Sequence, residues 1–70
     1  MEPRKRFALN LRIERKAQAL SQERLALRAR IHRTEVSLLE RGNRDPRLST
    51  IVRLSRALDV PARCLLEDVY

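Results

Sequence analysis

From Phe7 to Leu66 the apolar positions of this chain recur mostly three and four residues apart. That period belongs to helices that each turn one face to a core. Phe7 and Leu11 lie one turn apart, and Arg15 falls on the same face one turn later. Pro3 suits a first helical turn, so the first helix is expected from Pro3 to about Gln18. Ser21 is a good N-cap for a second helix from about Gln22 to Arg28, with Leu25 and Ala26 inward. A third runs from about Arg33 to Arg41, with Val36 and Leu39 inward. His32 takes its N-cap position and Glu35 the position of a capping box partner, while Gly42 suits a left-handed end. Leu48, Ile51, Val52, Leu54, Ser55 and Leu58 form the inward stripe of a fourth helix, which Asp59-Val60-Pro61 breaks. A short fifth helix is expected from Pro61 to Glu67. With one Gly, three Pro and only Phe7 and Tyr70 as aromatics, strands and hairpins have little support. The fold class expected is all-α, a compact five-helix bundle. It forms one domain over residues 1–70, its core lying at about 7–66.

The second and third helices, joined by a tight turn, have helix-turn-helix spacing. In that arrangement the second helix of the pair can enter a DNA major groove. Charge points the same way. Sixteen Lys and Arg face nine Asp and Glu, a net charge of +7, which calls for an anionic partner. Fourteen of the sixteen bases are Arg, the side chain suited to bidentate phosphate and guanine contacts, although genome composition also raises Arg content.

Several classes fall away. No apolar run is long enough for a transmembrane helix, and none follows the basic start as a secretory signal requires. The bases are spread over several helices, so no cationic amphipathic face suits a membrane surface. One cysteine, Cys64, and one histidine, His32, lack ligand spacing, so neither a metal nor another cofactor is expected. A lone thiol without a signal fits the cytoplasm of a bacterial or phage-infected cell. No nucleophile–base set or phosphate loop suggests an enzyme. A core this small is marginal alone, and with disulfide and metal excluded, oligomerisation is the remaining support.

The residues Leu20-Ser21-Gln22-Glu23, Leu25-Ala26, Val36-Ser37, Leu39-Glu40-Arg41-Gly42, Pro46, Ile51, Leu54 and Leu58-Asp59-Val60 resemble the Cro and lambda-repressor type of helix-turn-helix domain. The match covers roughly residues 7–66. The resemblance implies a lambda-repressor-like bundle that binds operator DNA as a homodimer and regulates transcription. Phage repressors and controllers of restriction–modification genes, which often bind their own promoters, are small members of that family. It also implies base contacts from Arg33, Thr34, Ser37 and Leu38. Gln22 matches a position that touches a phosphate or supports the recognition helix. Arg41, Asn43, Arg44 and Arg47 match phosphate-contacting sites. Arg15 and Glu40 match a pair that forms a buried salt bridge between the first and third helices. Three positions depart from the pattern: Arg30 stands where Gly is usual, His32 where Ser or Thr caps, and Leu38 where a polar reader is common.

At the residue level some alternatives stay open. Arg33 can take O6 and N7 of a guanine or bind a phosphate. Thr34 can bond a base or press its methyl on a thymine methyl, and Leu38 can make only the apolar contact. Glu35 either bonds back to the cap at His32 or accepts from a cytosine N4. His32 is a cap residue, or when protonated a phosphate contact. Arg4, Lys5 and Arg6 form either a phosphate-reaching arm or a solvated helix start. Leu65, Leu66, Val69 and Tyr70 divide between closing the core and a dimer interface, and Cys64 nearby is expected to be buried. The rival reading is an antitoxin or other protein-interaction module whose main ligand is a toxin or another partner protein.

Overall fold

The computed structural model describes residues 1–70 as five helices with no strand: α1 (Pro3–Ala17), α2 (Gln22–Ala29), α3 (Arg33–Glu40), α4 (Leu48–Leu58) and α5 (Ala62–Leu65). Helix α5 is shorter at both ends than its apolar pattern predicts. Every helix contributes to one apolar cluster: Phe7 and Leu11 from α1, Leu25, Ala26 and Ala29 from α2, Val36 and Leu39 from α3, Ile51, Leu54 and Leu58 from α4, and Leu65 from α5. Burying a large apolar side chain contributes about 1.5–3 kcal/mol, so these residues set the order of packing. The inward stripe of α4 is shorter than expected. Leu48 is 75% exposed, because the first turn of α4 runs past the end of the core.

Helices α1 to α4 end alike. A left-handed residue follows each of them: Ala19, Arg30, Gly42 and Asp59, with φ of 55°, 58°, 70° and 56°. The next residue then bonds back five positions, Leu20 to Arg15, Ile31 to Ala26, Asn43 to Leu38 and Val60 to Ser55. This satisfies carbonyls that a helix end leaves free. Leu20, Ile31 and Val60 also fold onto the core and anchor the three glycine-free ends. At Gly42 a Cβ would stand 3.1 Å from Lys5 Cγ and 3.5 Å from Lys5 Cα, so α1 passes closely over the end of α3. Arg30 has no such need and bears the cost of a left-handed L-residue, about 1 kcal/mol. Arg30→Gly should raise the melting temperature by roughly 4–8 °C, the shift that 1 kcal/mol gives a domain of this size. A thermal melt unchanged from the parent would show that the strain is absorbed elsewhere.

Polar contacts fix the order of the helices. Asn10, 4% exposed, donates through Nδ2 to the carbonyls of Leu65 (3.0 Å) and Glu67 (2.8 Å) and ties the C-terminal turn to α1. Gln18 reaches from the end of α1 to the Leu58 carbonyl at the end of α4. No buried side-chain nitrogen or oxygen lacks a partner. Asn10→Ala leaves two carbonyls without that donor and should cost about 1–3 kcal/mol. A denaturant midpoint equal to the parent's, with equal slope, would rule this out.

Candidate nucleic-acid interface

Helix α3 is held from below. Arg15 donates from Nε to Glu40 Oε2 at 2.6 Å and from Nη2 to Oε1 at 2.9 Å, a two-pronged pair. The side chains of Arg15 and Glu40 are 11% and 3% exposed. The third Arg15 nitrogen, Nη1, donates to the Leu20 carbonyl at 2.7 Å, and Gln22 Nε2 donates to Glu40 Oε1 at 3.1 Å. The hydrogen bond to Glu40 raises the Arg15 pKa above its ordinary value. One buried carboxylate thus joins α1, the start of α2 and the end of α3. Gln22 is engaged with it in the free protein, which is the supporting role among its two expected ones.

The far side of α3 is open. Arg33, Thr34 and Arg41 are exposed, and Ser37 and Leu38 are half-buried. Gln22, Arg33, Thr34 and Ser37 line a polar depression of about 250 Å³ between α2 and α3. On the other flank Glu35, Arg44, Asp45, Arg47 and Thr50 line a second, of about 480 Å³. Both hollows are bounded by polar side chains alone, and guanidinium groups stand in each. Such a surface accepts a polyanion far better than an apolar ligand. Asn43 is exposed in the turn after α3, and Arg41 Nε folds back to the Ser37 carbonyl at 3.3 Å.

One expectation at this face is corrected, and one reading that the sequence left open is narrowed. Glu35 does not close a capping box. It pairs with Arg44, because the turn after α3 brings that guanidinium beside it. The cap is His32 alone, whose Nδ1 accepts from Thr34 N at a long 3.4 Å. The basic start is no free arm either. Arg4 holds Asp45 by Nε to Oδ1 at 2.7 Å and Nη2 to Oδ2 at 3.3 Å, and Arg6 Nη2 lies 3.9 Å from Asp68 Oδ2. The Arg4 hydrogen bond lowers the Asp45 pKa. This pair therefore favours the folded state above the ordinary aspartate range and ceases to once acid protonates Asp45. The sequence suggested neither partner, since both lie more than forty residues away.

The C-terminal surface is also partly corrected. Leu65 has no exposed surface and belongs to the core, so its side chain is not available to a second protomer. Val69 is half-buried against the core, while Leu66 (39%) and Tyr70 (95%) remain exposed. Met1, 78% exposed, joins Tyr70 there beside Arg6 and Asp68. Cys64 is half-buried rather than buried. No group of three or more His, Cys, Asp or Glu is placed to hold a metal, and no helix is long and apolar enough to cross a membrane.

Residues 11–63 match the helix-turn-helix family model. The chain belongs to this helix-turn-helix family. This match and the control-protein relatives below agree with the Cro and lambda-repressor type that the sequence resembles. The chain is 38% identical over 66 residues to Control protein C.SmaI of Serratia marcescens, a match covering 94% of this chain and 79% of that protein. It is 44% identical over 48 residues to Control protein C.BamHI of Bacillus amyloliquefaciens, covering 69% of this chain. That match spans 59% of the control protein's own length. Among solved structures, the restriction-modification controller protein C.AhdI from Aeromonas hydrophila superposes with a TM-score of 0.87 at 40% identity, over 89% of this chain and 94% of that one. In this helix-turn-helix chain, α2 and α3 are the consecutive helices joined by the tight turn that gives the family its name.

Proposed function

We propose that this protein is a sequence-specific DNA-binding transcriptional regulator of the restriction–modification controller kind, acting on a promoter near its own gene. One observation carries the reading. The outer face of α3 is open and cationic, while its inner face is clamped by the buried Arg15–Glu40 pair. A recognition helix needs both properties, because base readout demands a fixed helix with free side chains.

In this reading α3 lies in the major groove. Arg33 takes the O6 and N7 of a guanine, Thr34 and Ser37 bond base edges, and Leu38 meets a thymine methyl. Arg41, Asn43, Arg44 and Arg47 hold phosphates, and Gln22 steadies α3 through Glu40 or turns outward to a phosphate. These phosphate contacts set register and carry no sequence information. Gln22, Arg33, Thr34 and Ser37 share one of the two hollows beside α3, and Arg44 and Arg47 share the other.

The protein acts as a homodimer in this proposal, through the exposed Leu66 and Tyr70 with the rim of Val69. Such a dimer would place its two copies of α3 at half-sites one helical turn apart, about 34 Å. A single half-site offers too few contacts for specific binding. Sedimentation at tens of micromolar, alone and with duplex DNA selected from a random pool, tests this part. Dimers, and a selected site with two-fold symmetry, are expected. Monomers in both conditions on an asymmetric site would overturn it.

A further inference from the structure

A second cationic surface lies off the recognition face. Arg28, Ala29 and Arg30 at the end of α2 and Arg53 and Arg56 of α4 line a depression of about 320 Å³. Four of its five lining residues are arginines and none is an acid. The ion pairs of the chain join Arg4, Arg6, Arg15 and Arg44 to carboxylates, so these four guanidinium groups have none. Arg53 Nη1 donates to the Arg30 carbonyl at 3.1 Å, which draws α4 and the α2–α3 turn together and fixes the cluster. Arg28 and Arg56 each lie in the last turn of a helix, where the helix dipole favours a cation. That account does not reach Arg53, in mid-helix, or Arg30, which is strained in the left-handed region where Gly would be relaxed. Like charges gathered without counter-ions repel each other, and a bound anion relieves them.

We infer that Arg28, Arg30, Arg53 and Arg56 form a second phosphate-binding site, which grips the backbone of the same duplex that α3 reads. The inference rests on the proposed DNA-binding reading and extends its footprint. Arg30 is three residues before Arg33, so their Cα atoms are at most about 11 Å apart. The major groove is about 12 Å wide and walled by phosphates, so a cation this close to a base-reading residue is within reach of a groove wall. An acidic protein partner fits less well. Protein interfaces have apolar or aromatic centres, and this lining offers only Ala29 among its cations.

The test uses Arg28→Gln with Arg56→Gln in the full chain. This double change leaves the Arg53–Arg30 bond in place, and a thermal melt checks folding. Affinity is measured against salt on duplex DNA from upstream of the gene and on a scrambled duplex. Two lost phosphate contacts in each protomer, four in the dimer, should flatten the log–log salt slope by about 3.6, at about 0.9 per contact. Between about 50 and 200 mM salt the variant should then lose roughly 150-fold less affinity than the parent. The flattening should be equal on both duplexes, leaving their ratio unchanged. The parent's slope retained in a folded variant overturns the site. So does a retained slope together with weakened binding of polyglutamate, which would assign the patch to an acidic protein. A parent that does not distinguish the two duplexes would instead defeat the α3 reading, while the slope comparison still decides the patch.

Discussion

Glu40→Ala should be the most damaging single substitution at the recognition helix. It strands the buried Arg15 guanidinium, a loss that costs about 3–5 kcal/mol. It also removes the acceptor of Gln22. A chain of 70 residues has only about 3.5–10 kcal/mol of stability at the usual per-residue range. The variant is therefore expected to be partly or wholly unfolded at 37 °C, with a melting temperature at least about 12 °C below the parent's. Replacing both partners by apolar residues of similar size, Arg15→Met with Glu40→Leu, should recover much of this loss, since no charge is then stranded. The recovery is incomplete, because the Leu20 carbonyl loses its donor and Gln22 its acceptor. A Glu40→Ala melt within about two degrees of the parent's would show that water reaches Arg15 and that the pair does not clamp α3.

Arg33→Ala should have the largest effect on recognition without touching the fold. The side chain is exposed, makes no ion pair and lies in the first turn of α3. A bidentate guanine contact is worth about 1–3 kcal/mol of discrimination. In a symmetric dimer the loss occurs in both half-sites, and separated sites add, giving about 2–6 kcal/mol. Affinity for the native operator should therefore fall by between about thirtyfold and about twenty-thousandfold, as order-of-magnitude bounds. Affinity for scrambled DNA should fall far less. Competition between operator duplexes carrying single base changes shows which contact is lost. If Arg33 binds a phosphate instead, both duplexes weaken together and the salt slope drops by about 0.9 per contact. That outcome would move base reading to Thr34, Ser37 and Leu38.

The sequence makes the four longer helices legible because their apolar spacing, the Ser21 cap and Gly42 agree with one another. Gly42 announces its left-handed turn. Ala19 and Asp59 do not, since neither residue type demands that conformation. The signal available there was the apolar residue that follows: Leu20 and Val60, like Ile31 after Arg30, pull the chain back onto the core. Arg15 on an apolar face pointed to a buried partner, and family resemblance supplied Glu40. Periodicity misled at Leu48 because it cannot tell where a core stops. It left Leu65 open between core and interface because either role suits a leucine at a chain end. Asn10 gave no sign, since an asparagine facing two carbonyls more than fifty residues away has no local signature. The Arg4–Asp45 pair, forty-one residues apart, was hidden for the same reason, and Glu35–Arg44, nine apart, because the turn after α3 rather than any helical spacing joins them. Charge composition reports how many cations there are, and only the fold decides which remain unpaired.

The proposed role of α3 is to read DNA sequence. The most direct measurement is binding to duplex DNA from upstream of the protein's own gene against a scrambled duplex, across a range of salt concentrations. Tight binding that salt weakens steeply, with a preference for the native duplex of about a thousandfold or more, is the predicted result. Equal and weak binding to both duplexes would contradict it and leave only the attraction of a +7 chain for a polyanion.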